Sequence, residues 1–335
     1  EVGADGFGLH AEDGEEEVAV AEVGFEGGFT ADGLRAAAAI EANTPVEFFA
    51  ASMSLDIANT DKLSVFYQDA RRMGVTIRPP CVNRSGATFT VRDGRIHYAL
   101  GALKNVGVEA MRMIVAARGD RPFVTLFDLA RRVDLKRVGK RALELLALAG
   151  AFDVLDPNRR RVFDSLDALT AYSAACHEAA GSSQVSLFGE AGDDLPEPRL
   201  ASVADWLPAE RLAEEFQAVG FYLTGHPLDD VSAALRRKGV LTIAGLQARF
   251  DAAGAAVGQV GVLVTDLSER KSARGTRFFR MNISDQTGQL SGIALFPDKA
   301  ENFDAYRQVF DASPMVILGL EARSGEAREG GSGFD

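Results

Sequence analysis

Apolar residues recur at helical spacing from Pro45 onward, through Phe48, Phe49, Met53 and Leu55 and again through Leu63, Phe66, Tyr67 and Ala70. Asn59 or Thr60 offers an N-cap for a helix over residues 62–73, which Gly74 ends. The pattern then shortens. Residues 75–77, 89–91 and 96–99 predict three short strands around a turn at Asp93-Gly94. Helical periodicity returns over residues 100–175, punctuated by Gly101, Gly107, Gly119, Gly139 and Gly150. Further helices are predicted over 208–219 and 228–238.

From Val257 the period changes to that of strands. Residues 259–267, 277–284 and 289–296 are apolar or alternating runs, separated by turn segments at 272–275 and 285–288. A short helix is expected after Pro297 and a strand over 315–320. Three meandering strands, a helix and a returning strand are the order of a small Greek-key barrel of the OB type, with its fifth strand missing. The predicted class is α+β and multidomain, a mainly helical region followed by this incomplete barrel. An unclosed barrel leaves a strand edge free, so poor solubility in isolation is expected.

Two segments look like helix-hairpin-helix elements. In the first, residues 100–111, a helix is expected to end near Lys104, a tight turn to use Asn105 and Gly107, and a new helix to open at Val108. Gly, and less readily Asn, accepts positive φ, which lets another chain approach. The N–H groups at the start of the new helix can then bind a phosphate oxygen. The second segment is residues 133–141. With Arg131 and Arg132 it sets six basic residues, among them Lys136, Arg137, Lys140 and Arg141, against Asp134 around Gly139. Arg159, Arg160 and Arg161 add a further basic run. Such contacts read the phosphate backbone, so they predict sequence-independent, salt-sensitive binding. Taken singly, each hairpin reads equally as ordinary helix caps and a solvated charged face.

The barrel candidate offers a second basic surface. Arg270, Lys271, Arg274 and Arg277 lead into Phe278-Phe279, a pattern suited to single-stranded nucleic acid. One of the two phenylalanines must face the core, and such barrels also serve as protein-docking modules.

A third feature lies in the linker-like segment 181–210. Gln184-Val185-Ser186-Leu187-Phe188 places two bulky apolar side chains among Gly, Ser, Asp and Pro. Exposing each to water costs about 1.5–3 kcal/mol relative to burying it. They fit an extended peptide that docks into a partner's pocket, or a short strand covering the chain's own core.

Composition narrows the classes. The chain has 335 residues, enough for two or three domains. No run of eighteen apolar residues is present to span a membrane, and the acidic start does not resemble a signal peptide. Cys81 and Cys176 are too few and isolated for a disulfide framework, which points to the cytoplasm. His10, His97, His177 and His226 lack metal-ligand spacing. The net charge of −12 argues against nucleic acid only on average, because nine of the acids fall within the first thirty residues, which hold no Lys or Arg. There is no phosphate loop, nucleophile elbow or metal box. Paired carboxylates such as Glu214/Glu215 and Asp229/Asp230 are expected to be surface charges.

From about Ala42 the order of motifs resembles one family, the C-terminal half of the bacterial replicative DNA polymerase III alpha subunit. The resemblance rests on residues 43–51, 56–62, 71–75, 79–86, 101–107, 148–153, 184–189 and 220–228, followed by the barrel. It implies the end of a fingers domain (41–99), a tandem helix-hairpin-helix region (100–178), a linker with a clamp-binding peptide (179–207), a helical connector (208–256) and a truncated OB domain (257–323). A divergent segment (1–40) and a flexible tail (324–335) flank them. In that reading Gln184, Ser186, Leu187 and Phe188 dock on the beta sliding clamp. Lys104, Asn105, Gly107, Lys136, Arg137, Gly139, Lys140, Arg141 and the barrel loop contact primer-template DNA or single-stranded template. Other polymerase III holoenzyme subunits would be partners of the intact enzyme, and no membrane is implied.

The catalytic palm, with its Mg-binding aspartates, is expected to lie outside this chain, which is then inactive alone and holds no cofactor. Residues 1–40 depart from the fingers sequence and lack its Phe-Asn-Lys-Ser-His stretch, and Asn105 replaces the hairpin's usual Gly. Two other readings stay open: a stand-alone nucleic-acid-binding adaptor, and a fragment of the error-prone paralogue.

Overall fold

The computed structural model describes residues 44–181, 195–272, 275–297 and 303–323. They fall into two compact units, one ending at Gly225 and one beginning at His226. The first is mainly helical and the second is built on a sheet.

The first unit opens with α1 (Pro45–Leu55) and α2 (Thr60–Arg72). Proline at the first turn costs α1 no hydrogen bond, because that N–H has no partner inside a helix. The Asn59 side chain accepts from Lys62 N and caps α2, with Asp61 in the first turn and Arg71 and Arg72 in the last, as the helix dipole favours. Gly74 follows at φ 77°. Strands β1 (Ile77–Arg78), β2 (Thr90–Arg92) and β3 (Arg95–His97) form a sheet in the order β1-β3-β2. They sit one or two residues from the expected positions. Asp93 and Gly94, at φ 52° and 65°, make the two-residue turn between β2 and β3.

Next come α3 (Val108–Arg118), α4 (Leu126–Arg132), α5 (Leu135–Val138), α6 (Lys140–Leu148), α7 (Arg159–Asp164), α8 (Leu166–Gly181) and α9 (Pro208–Val219). The core joins residues far apart in sequence. Phe221 lies 5.2 Å from the Tyr67 ring and 6.2 Å from Tyr98, and Tyr67 OH donates to Leu223 O over 2.7 Å. The segment after α9 thus closes over α2 and the small sheet.

Two sequence-based expectations fail in this unit. Glu215 is not a surface charge: it is fully buried. Its carboxylate accepts from Leu223 N, Thr224 N and Thr224 Oγ1 and stands 3.6 Å from Arg159 Nη1. The basic run 159–161 likewise turns onto carboxylates. Arg159 makes a two-pronged pair with Asp153, Arg161 makes another with Asp156, and Arg160 reaches Asp164 at 3.8 Å. A buried charge persists only when paired and hydrogen-bonded, and here Asp153, Glu215 and the Leu148 carbonyl share Arg159.

The second unit contains α10 (Asp229–Arg237) and α11 (Ile243–Ala253), the latter not predicted as a separate helix. Strands β4 (Ala255–Lys271), β5 (Arg277–Asp285) and β6 (Gly288–Leu295), helix α12 (Phe303–Ala312) and strand β7 (Met315–Arg323) follow. Among the described residues the antiparallel sheet runs β6-β5-β4-β7 and does not close. The 17-residue β4 serves two partners: residues 255–263 pair with β7, and residues 263–271 pair with β5, with a bulge near Val264. Phe279 fills the core, stacked on Phe303 at 4.2 Å and met edge-on by Phe310. Asp285 ties the sheet to α11, since Oδ2 accepts from Ile243 N while Oδ1 accepts from Thr287 N and Gly288 N.

Candidate nucleic-acid interface

The first hairpin differs from its expected form on the upstream side. Only a 3-10 turn, Leu100–Ala102, precedes the bend. The Leu100 and Gly101 N–H groups donate to the Gly86 and Ala87 carbonyls, so they cannot join a helical ladder. Gly101 is needed for that approach, because a Cβ there would stand 2.6 Å from Ala87 O. The bend itself is made by Asn105 at φ 55°. Asn tolerates this left-handed conformation where β-branched residues do not. Gly107 has φ −76° and caps α3, so its special freedom is not used. Both Asn105 and Gly107 are exposed.

Lys104 is half buried. Its backbone N–H donates to Ala218 O, and its ammonium lies 5.5 Å from the Phe216 ring centroid. Burial pulls its pKa below the ordinary lysine value, opposed by Asp61. Gly220, at φ 99°, leaves the space this side chain needs, since a Cβ there would meet Lys104 Cε at 2.5 Å.

The second hairpin is α5, Gly139 and α6. Asp134 caps α5 by accepting from Arg137 N, and Gly139 at φ 91° ends α5 and begins α6. A Cβ at Gly139 would meet nothing within 4 Å, so its outer side is open to a second chain. Ser173 was not foreseen: buried on α8, it accepts from Leu135 N and donates to Val133 O, pinning the hairpin from behind. A serine in an otherwise apolar stretch of α8 was the only clue. α3 packs on α5, which brings the two hairpins together.

The six basic side chains of the second hairpin divide by task. Arg132 donates to the carbonyls of Ala117, Arg118 and Arg121 and lies 4.6 Å from the Phe123 centroid, so it caps the end of α3. Arg131 holds Tyr172 and Glu197. Lys140 pairs with Asp167 and Arg141 with Glu144, both at exposed positions where such pairs exchange readily. Lys136 and Arg137 are exposed and have no side-chain partner among the described residues.

In the second unit, Arg270 and Lys271 are exposed at the end of β4. Register aligns Arg270 with Phe278, and Phe278 stacks on the half-exposed Phe296 at 4.9 Å. A cation and two rings therefore form one surface row over β4, β5 and the residue that follows β6. Arg277 is engaged elsewhere, 3.8 Å over the Phe303 ring and paired with Glu269. Arg274, Gln184, Ser186, Leu187 and Phe188 lie outside the described residues. Among the described residues no three His, Cys, Asp or Glu side chains gather as a metal site, and no helix is long and apolar enough to cross a membrane.

A profile described as a helix-hairpin-helix motif matches residues 74–162, which contain both hairpins. The chain is 46% identical over 292 residues to a DNA polymerase III subunit alpha of Caulobacter vibrioides, covering 86% of this chain and 25% of that protein. It is 35% identical over 294 residues to the subunit of the same name from Thermus aquaticus, covering 86% of this chain and 23% of that one. With the Bacillus subtilis protein of that name it shares 31% identity over 260 residues, 78% of this chain and 23% of the relative. The chain spans about a quarter of the length of the curated relatives it matches. On the agreement between these matches, the paired hairpins and the open sheet, the chain belongs to the bacterial DNA polymerase III alpha subunit family.

Proposed function

We propose that this chain is the DNA- and clamp-handling portion of a replicative DNA polymerase, working in the cytoplasm with the other subunits of that assembly. The observation that carries the reading is the second hairpin. Exposed Lys136 and Arg137 have no partner among the described residues, beside an open Gly139 and the free N–H groups of α6. Cations and oriented N–H groups suit phosphate oxygens, and nothing there reads a base edge, so binding is sequence-independent. Asn105, Gly107 and Lys104 form the companion contact, and Lys140 and Arg141 exchange their surface carboxylates for phosphates.

The sheet unit is read as an OB-type module, four strands of which are described. Division of β4 between β5 and β7, with α12 between β6 and β7, supports this. The row Arg270, Phe278 and Phe296 suits stacking of unpaired bases, with Lys271, Arg274 and Arg277 at the basic end of the same module.

Gln184, Ser186, Leu187 and Phe188 are the proposed clamp peptide, with Leu187 and Phe188 filling an apolar pocket. Tethering raises effective concentration, so a weak peptide can still keep a polymerase on its template. Nucleotidyl transfer, in this reading, belongs to Mg-bound carboxylates outside residues 44–323. Immobilised sliding clamp should retain the chain, and the double change Leu187→Ala, Phe188→Ala should abolish retention. Undiminished capture of that variant would remove the clamp from the proposal.

A further inference from the structure

The small sheet of the first unit has an apolar face and a cationic one. Ile77, Ile96 and Val91 are in register with one another, and Ile96 is fully buried. One position along, the register aligns Arg78 with His97 and His97 with Thr90, and aligns Arg92 with Arg95. Paired residues share a face and neighbours along a strand alternate. Arg78, Arg92, Arg95, Thr90 and His97 therefore stand together on the side away from Ile96.

Arg84 joins them from the loop before β2. Gly86 lets that loop lie against the sheet, because a Cβ there would stand 2.8 Å from Thr90 Cγ2. The positive charges of Arg92, Arg84 and Arg78 all reach His97, and after burial they are what hold its pKa below the ordinary histidine value. Asp93 opposes them with a smaller effect. Among the described residues none of these four arginines has a carboxylate partner, in contrast to Arg159 and Arg161.

Two polar atoms beneath the arginines also lack partners among the described residues. His97, 7% exposed, has a buried Nδ1 without a hydrogen bond, and so does Thr90 Oγ1 beside it in register. Buried polar atoms are nearly always satisfied, and an unsatisfied adjacent pair under converging cations calls for a ligand that carries acceptors and negative charge. Arginine forks match the oxygens of a phosphate, and the imidazole and hydroxyl can add donors. We propose that this face of the β1-β3-β2 sheet is a phosphate-binding site, built by Arg78, Arg84, Arg92, Thr90 and His97. It uses none of the hairpin residues, so it stands or falls apart from their role. The phosphate is either one in a DNA backbone or a free phosphate or polyphosphate.

Histidine side-chain NMR of the whole chain, titrated with inorganic phosphate and pyrophosphate, reads the site directly. His97→Gln identifies the resonance. The His97 signal should shift on addition of either ion. The shift should vanish in Arg84→Ala, Arg92→Ala and persist in Lys136→Ala, Arg137→Ala. In parallel, fluorescence anisotropy with a duplex oligonucleotide separates the two sources. If DNA supplies the phosphate, the sheet double variant weakens binding and lowers the log–log salt slope by about 0.9 for each DNA phosphate it no longer neutralises. If the ligand is free phosphate, the NMR shift occurs and DNA binding stays at the wild-type level. A His97 signal that neither ion moves would overturn the proposal. The wild-type titration decides this even if a variant fails to fold.

Discussion

Residues 131–141 and 159–161 are both rich in arginine, yet the fold uses them in opposite ways. Around Gly139 the chain leaves Lys136 and Arg137 in solvent, and their neighbours hold carboxylates that water already screens. At 159–161 the side chains turn onto Asp153, Asp156 and Glu215, and Arg159 is buried. Charge density along a sequence therefore does not identify a binding surface. What matters is whether carboxylates from other elements arrive first. Asp153 is also shared with Arg211 on α9, whose other prong holds Asp205, so the second cluster bridges separate helices.

The contrast can be broken most forcefully at Glu215. Glu215→Ala leaves Arg159 with one carboxylate fewer and the Leu223 and Thr224 N–H groups unsatisfied, which should cost about 3–5 kcal/mol. Urea denaturation of the whole chain, followed through the helical signal, measures it. A loss below about 1 kcal/mol would mean the buried cluster is not structural. Gly150→Ala attacks the same cluster from the backbone. Gly150 has φ 77°, and a Cβ there would stand 2.2 Å from Arg159 Nη2. Strain of about 1–3 kcal/mol is expected, readable as a lowered thermal midpoint.

The second unit supplies a polar group that is buried yet uncharged. His226 Nδ1 accepts from Leu228 N, and Nε2 lies 3.1 Å from Ser284 Oγ. Burial lowers its pKa, against opposing effects from Asp285 and Asp229. The unfolded chain therefore takes up this proton first as pH falls through about 6.5. The stability contributed by neutral His226 is complete above that pH and is lost below it, down to the folded-state pKa. The slope for one proton is at most about 1.4 kcal/mol per pH unit. Urea midpoints of the sheet unit between about pH 7.5 and 5 should fall more steeply for the wild type than for His226→Gln. Parallel curves would show that the ring is not held neutral.

The smallest effect on stability belongs to the exposed cluster. Lys136→Ala, Arg137→Ala should change unfolding free energy by no more than about 0.5 kcal/mol per site. The same pair should weaken DNA binding uniformly across sequences and lower the salt slope. An unchanged salt slope would place the interface elsewhere.

Much of the architecture follows from local pattern. Asn59 as the cap of α2, Asp93-Gly94 as a hairpin turn, Gly139 between two helices and the order of strands in the second unit are all read from a few neighbouring residues, because caps, turns and periodicity are short-range physics. That one of Phe278 and Phe279 faces the core follows from strand alternation, and packing on Phe303 and Phe310 decides that it is Phe279. Asn105 in the left-handed region was likewise foreseeable, while the 3-10 turn before it was not, since the bonds that prevent a helix come from Gly86 and Ala87 in another segment.

The roles of individual charges required the tertiary structure. Sequence alone shows that residues 159–161 and 131–141 are basic and that Glu214 and Glu215 are adjacent acids. Only packing decides that Arg132 caps α3, that Arg159 and Glu215 meet in the interior, and that Arg78, Arg84 and Arg92 gather around His97. Local backbone preferences are properties of each residue and its neighbours. The state of an ionisable side chain depends on what distant segments bring within a few ångströms, where water is excluded and the interaction is strongest.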